Sequence, residues 1–447
     1  MSNLTKGKIS TTLLKFAIPF LFASLLQALY GAADLFVVGQ FADSASVSAV
    51  AIGSQVMQTI TGIILGISMG GTVLIGRRIG EKKHGEAAKA IGSLTVLFII
   101  IAVILTPLML LATDGAITLM HTPMEAVKYT KEYIIICTLG IPFIIGYNAV
   151  SAIFRGLGDS KTPVYFVLIA CVINIIVDVV LVGIFKFHAI GAAIATASSQ
   201  GISFIIALFY IIKRGFSFKI TRKDFRLDKE SAKCILKVGF PLALQDALIN
   251  VSFLIITAVI NTMGLVASAA VGVVEKIIVF AMLPPTSFGS AVSAMTVQNI
   301  GAGERNRTAK VLRYGIIYSL IFGIIATVYS QIYPETLTAM FTNDPEVIKA
   351  SSQYLMSFSI DCIMVSFVFC INGYLSGMGK STISLIHSLI ATFGFRIPLT
   401  LLISKISGVT LYELGFAAPI STLVSIVICF FYLRWQNKSE VNNPILR

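Results

Sequence analysis

Tyr133 to Phe154, Phe187 to Ile212, Ile91 to Thr113, Ile277 to Gly303 and Leu414 to Leu433 contain no Asp, Glu, Lys or Arg. An α-helix needs about 20 mainly apolar residues to cross the hydrocarbon of a bilayer. Lipid offers the backbone no hydrogen-bond partner, so a spanning segment must satisfy its own N–H and C=O groups, which a helix does. Ser44 to Gly76 is an even longer uncharged run, enough for a tilted span and its loop. Charged residues make up 12% of the 447, against about 25% in a soluble domain. The pattern predicts an all-α integral membrane protein with twelve transmembrane helices, near 13–37, 47–75, 91–113, 130–154, 163–185, 190–212, 236–260, 266–298, 314–334, 351–375, 382–404 and 413–433.

Phe16 to Ala33 runs on into Asp34 without a cleavage-type end, so it reads as the first span and no removable leader is expected. The cysteines, Cys137, Cys171, Cys234, Cys362, Cys370 and Cys429, contain no CxxC pair. Neither structural zinc nor a disulfide framework is expected.

A net charge of +13 raises the question of nucleic acid. The distribution answers it. If the N-terminus is inside, Lys and Arg gather on the inner side, in Arg77–Lys89, Lys213–Lys237 and Arg305–Arg313. Lys128, Lys131, Lys186, Lys349 and Lys405 fall outside, and Lys276 and Arg396 lie within spans. Such a bias sets orientation in a membrane. It predicts both termini in the cytoplasm, a cell-membrane location and no nucleic-acid partner.

The chain also partly repeats itself at an offset of 221 residues. Gly80 and Glu81 meet Gly301 and Ala302; Glu125, Lys128 and Tyr133 meet Glu346, Lys349 and Tyr354; Gly156-Leu-Gly158 meets Gly377-Met-Gly379. Lys15 and Pro19 meet Lys237 and Pro241 one residue further on. Six spans per repeat is an even number, so the two bundles run parallel, related by an axis along the membrane normal. The expected division is a first lobe at 1–212, a basic linker at 213–235 and a second lobe at 236–447. Duplicated bundles of this kind bind substrate between the halves and alternate access.

An ionisable residue at mid-membrane costs about 2.5–3.5 kcal/mol on insertion scales and so marks function. The first half has Asp34 and Asp178 near span interiors and no base beside them. Asn174 lies one turn before Asp178 on the same helix face. Thr196 and Asn148, on the flanking spans, can add oxygen ligands. Unpaired acids on two helices suit a proton or a monovalent cation such as Na+. The second half carries Asp246, Glu275 and Asp361 with Lys276 and Arg396. These are expected to pair mostly with one another, with Asp246, Glu275, Asp361 and Arg396 as possible substrate contacts.

Gly66-Ile-Ser68-Met-Gly70 fits the G-x-S-x-G pattern, but that motif needs a strand-turn-helix elbow. Within a long apolar helix, small residues four apart serve close packing. With no HExxH, no P-loop and scattered histidines, no enzymatic activity and no cofactor are expected. Pro284-Pro285 is the strongest candidate for a broken helix.

Taken together, these residues resemble the multidrug and toxic compound extrusion (MATE) transporters. The resemblance rests on Pro19, Asp34 with Gly39, Arg155-Gly-Leu-Gly-Asp-Ser-Lys-Thr-Pro163, Asn174-x-x-x-Asp178, Gly191-Ala-Ala-Ile-Ala-Thr196 and Gln298-Asn-Ile-Gly-Ala-Gly303. It covers nearly the whole chain. It implies cation-coupled antiport, protons or sodium entering as organic compounds leave, with the coupling ion held at positions matched by Asp34, Asn174, Asp178 and Thr196. The expected substrate is an amphipathic organic cation. The other expected partner is membrane lipid, with the chain acting as a monomer. A flippase for lipid-linked sugars would want a cavity rich in Arg and Lys, for which only Lys276 and Arg396 are available. A non-transporting scaffold is the remaining alternative.

Overall fold

The computed structural model describes residues 4–120, 122–216, 218–406 and 408–442. Among them there is no strand. The helices that can cross a membrane are α1 (Ile9–Phe41), α2 (Ser44–Gly80), α3 (His84–Leu119), α4 (Met124–Leu139 continued by Ile141–Gly156), α5 (Lys161–Ile184), α6 (His188–Arg214), α7 (Lys229–Asn261), α8 (Leu265–Gly301), α9 (Arg305–Ile332), α10 (Pro345–Gly377), α11 (Ser381–Ile403) and α12 (Leu411–Gln436). Each coincides with a span expected from the sequence.

Sequence explains the irregularities. α4 bends by 46° at Gly140. Pro142 lacks an N–H, so it starts the second part at a position where none is needed. Gly140 lets the turn sit close to α6, where a Cβ would lie 3.1 Å from that of Ala197. α5 and α11 each contain a π-helical stretch, Val179–Ile184 and Thr392–Arg396. Such insertions rotate the following residues off the original face and recur at functional sites. The expected break at Pro284-Pro285 does not occur: α8 is continuous through both. Just beyond them, the hydroxyls of Thr286 and Ser287 donate to the Leu283 carbonyl at 3.0 and 2.6 Å, and that of Thr286 to Met282 as well. These bonds brace the turn that follows the prolines, while the carbonyls that lose a donor to them are those of Phe280 and Ala281.

The chain divides into two compact units, Met1–Asp246 with Val297–Arg307, and Ala247–Thr296 with Thr308–Arg447. In the first unit, α2 runs along both parts of α4, α5 packs on α1 and α6, and α4 on α6. Its core includes Ile64, Leu94, Phe98, Tyr133, Ile141 and Ile145. In the second unit, α12 packs on α10 and α11, around Ile260, Val274, Tyr354, Phe358 and Leu414. α3 shows the reverse of a soluble core, with Ile99, Val103, Ile104, Leu108 and Leu111 all exposed. An apolar face of that length belongs in lipid.

The repeat is visible in the backbone. Gly158 and Gly379, 221 residues apart, both take positive φ, at +81° and +75°. Lys82 and Gly303, at the same offset, do so at 58° and +79°. The duplicated glycines Gly80 and Gly301 meet each other: a Cβ on either would lie about 3 Å from the other's Cα. Gly66 and Gly70 pack on α7, where an added Cβ would collide with the backbone at Ala243 and Ile235. Ser68 between them is fully buried. The G-x-S-x-G segment is therefore a helix-packing seam.

Candidate functional site

Asp34 lies in the latter part of α1, and only 5% of it is exposed. The side chain is therefore shielded from solvent by the protein. Its Oδ2 accepts a hydrogen bond from the Thr196 hydroxyl of α6 at 2.9 Å. Asp178 and Asn174, both on α5 and both fully buried, lie beside Asp34 within electrostatic reach. The one-turn spacing of Asn174 and Asp178 thus does what it promised: it presents both side chains to α1.

Few protein groups satisfy this cluster. Among the described residues, Asp34 Oδ1, both carboxylate oxygens of Asp178 and both amide atoms of Asn174 are buried without a hydrogen bond of regular geometry. Among the described residues no Lys or Arg lies within 4.0 Å of either acid. Two buried carboxylates without a base are tolerable only with a cation or a proton between them. The oxygens on hand, from Asp34, Asp178, Asn174 and Thr196, are hard ligands, the kind a proton or an alkali cation takes. Directly after Asp178 the helix goes over to the π-helical stretch Val179–Ile184, which still packs on α1.

Two members of the cluster escaped sequence reasoning. Tyr30, one turn before Asp34 on α1, accepts a hydrogen bond through its hydroxyl from Gln200 Nε2 of α6 at 3.3 Å. Gln200 lies one turn after Thr196. The i, i+4 spacings Tyr30–Asp34 and Thr196–Gln200 were the available signal. Neither residue bears charge in the membrane, so neither drew notice. Asn148 is buried but does not join in; its amide donates to the Ile144 carbonyl of its own helix at 2.8 Å.

The acids and bases of the second repeat depart from expectation. Lys276 is exposed and Glu275 only partly so, in keeping with neighbours that face different ways. Among the described residues, however, none of Asp246, Glu275, Asp361, Lys276 and Arg396 forms an ion pair within 4.0 Å. The expectation of direct pairing is corrected. Arg396 instead sits over Phe253 at 4.5 Å and Phe358 at 5.9 Å from the ring centroids. Aromatic faces attract a guanidinium strongly once water is excluded. Its charge still acts on Glu275, beside Thr257, and on Asp361, beside Thr422. Asp361 keeps one oxygen, Oδ1, buried and unpartnered. Asp246 is exposed, with its Cβ near Gly62 of α2.

The sequence profile of the MatE family matches the chain twice, over residues 19–180 and 241–402. The two matches begin at the spacing of the internal repeat. The chain is 28% identical over 436 residues to the probable multidrug resistance protein YpnP of Bacillus subtilis, covering 97% of this chain and 96% of that one. It is 26% identical to the probable multidrug resistance protein NorM of Thermotoga maritima, over 97% of this chain and 94% of the relative. Among solved structures, a MOP superfamily transporter from Pyrococcus furiosus, reported with a binding pocket of reversed polarity, superposes with a TM-score of 0.92. That similarity spans 97% of both chains at 22% identity and bears on the fold alone.

Proposed function

Because the chain belongs to the MatE family of membrane transporters, we propose that it is a secondary antiporter that exports amphipathic organic cations, driven by entry of a proton or a sodium ion. Its relatives named as multidrug resistance proteins support a drug-like substrate. The observation that carries ion coupling is the buried cluster of the first unit: two carboxylates and an amide with unfilled hydrogen-bonding capacity and no base.

The physical account is as follows. With the cation bound, Asp34 and Asp178 are neutralised and can sit together in a dry site. When the ion leaves, two like charges remain in low dielectric, where their repulsion is large. Helices α1 and α5 then lower the energy by moving apart or by admitting water. A site that differs in energy between two shapes converts ion binding into a population shift. The π-helical stretch after Asp178 is a local weakness in α5 at which such a shift can begin. Exchange of the ion for the compound by alternating access follows if only one of them is held at a time.

The Asp178→Asn variant tests this reading. It keeps the size of the side chain while removing the charge. Ethidium uptake into energised inside-out vesicles should fall at least about ten-fold relative to the parent protein. Unchanged uptake at equal protein amount would sink the assignment.

A further inference from the structure

Arg155 closes the last turn of Ile141–Gly156, is 9% exposed, and takes no part in the cluster around Asp34. Its Nε is buried with no hydrogen-bond partner. Among the described residues no carboxylate lies within 4.0 Å of it, and Tyr147 is the titratable group whose charge acts on it. The nearest acid in sequence, Asp159, is already engaged. Its Oδ1 accepts from the Lys161 and Thr162 N–H groups at 3.0 Å each, and its Oδ2 from the Thr162 hydroxyl at 2.7 Å.

The plain alternative is that Arg155 merely caps the negative end of its helix. The terminal carbonyls do not need it. Those of Ile153, Phe154 and Arg155 accept from the backbone N–H groups of Leu157, Asp159 and Gly158 at 2.9, 2.9 and 3.0 Å. The Phe20 ring of α1, 5.5 Å from the guanidinium carbon, offsets only part of the cost of burying the charge. The balance is unfavourable unless an anion completes it. Of the guanidinium nitrogens, Nε is the one found both buried and unpartnered among the described residues.

We propose that Arg155 anchors a binding site for a phosphate group, the chemistry shared by a phospholipid head and free phosphate. A guanidinium presents paired N–H groups at the spacing of two phosphate oxygens, which a point charge does not. In the topology read from the sequence, Arg155 lies at the end of its span that shares a side with Arg77–Lys89 and Lys213–Lys237, where phosphate heads of anionic lipid gather. The site is independent of the ion-coupling reading.

The test uses the full-length protein, delipidated in neutral detergent. One arm adds phosphatidylglycerol and measures its retention by native mass spectrometry. The other adds radiolabelled orthophosphate and measures binding by equilibrium dialysis. The parent protein should retain one phosphate-bearing ligand in at least one arm. Arg155→Gln should bind it about ten-fold more weakly. Retention of the lipid alone assigns the site to a head group, and retention of orthophosphate assigns it to the soluble anion. Should Arg155→Gln fail to fold, Arg155→Lys decides: several-fold weaker binding supports the paired contact, and unchanged binding overturns it. No binding by the parent protein in either arm, or equal binding by parent and Gln variant, also overturns the proposal.

Discussion

Among the described residues, Thr196 is the one side chain that satisfies Asp34 through a regular hydrogen bond, at 2.9 Å. A hydrogen bond to a charged group contributes about 1.5–3 kcal/mol. With sodium as the coupling ion, Thr196→Val, which keeps the shape and removes the hydroxyl, should raise the sodium concentration for half-maximal ethidium efflux about ten-fold. Transport at saturating sodium should change little. Asn174→Leu, which removes two polar atoms from the cluster, should weaken sodium binding at least as much. A different residue offers a pH-dependent readout away from the membrane. Asp228, just before α7, accepts from the Ser231 N–H at 2.8 Å, and the bonds from Ser231 hold its carboxyl below the ordinary carboxylate value. A depressed carboxylate stabilises the fold above its unfolded value, near 3.9, and loses that contribution as pH falls through the folded one. Asp228→Asn should flatten the acid dependence of amide exchange at the start of α7 and cost about 0.5 kcal/mol at neutral pH.

Helix seams set the next requirement. Gly66 and Gly70 let α2 touch the backbone of α7, and α8 approaches α10 through Gly289 and Gly373 in the same manner. Gly70→Val pushes a branched side chain into the Ile235 carbonyl, and overpacking of this sort costs about 1–3 kcal/mol. The variant should melt several degrees lower, whereas Ser68→Ala, which removes a hydroxyl without a partner, should melt within a degree or two of the parent and transport equally well. Much of this was readable in advance. Uncharged runs gave the twelve spans, and small residues at four-residue spacing gave the α2 seam. The irregularities were harder. A proline pair signals a break by removing N–H groups, yet α8 runs on through it. The bend instead falls at Gly140, ahead of a single Pro142. The π-helical stretches Val179–Ile184 and Thr392–Arg396 carry no residue that announces them, because they depend on which bond register the neighbours favour.

Over the whole chain, the duplicated architecture carries unequal chemistry. The repeat-related backbone turns at Lys82 and Gly303, and at Gly158 and Gly379, still match, while Asn174 and Asp178 have Phe395 and Leu399 at their equivalent positions. The acids of the first unit were legible because an unpaired charge in an apolar run is rare and costly. Tyr30 and Gln200 were not, since an uncharged polar residue in a span has many innocent uses. The mistaken pairing in the second repeat came from counting charges: Arg396 found aromatic faces where a carboxylate was expected. Orientation is open to direct test. Cysteines placed at Lys82 and Lys219 should react with an impermeant maleimide only from the cytoplasmic side, and cysteines at Lys186 and Lys349 only from outside. The central claim is that Asp34 and Asp178 couple an ion to transport. The most direct measurement is ethidium efflux from proteoliposomes under an imposed proton gradient, an imposed sodium gradient, or neither. The parent protein should move ethidium uphill with one of the gradients and not without it, and a protein carrying Asp34→Asn and Asp178→Asn should show no response to either. Equal efflux with and without both gradients, or a full gradient response in the doubly substituted protein, would contradict it.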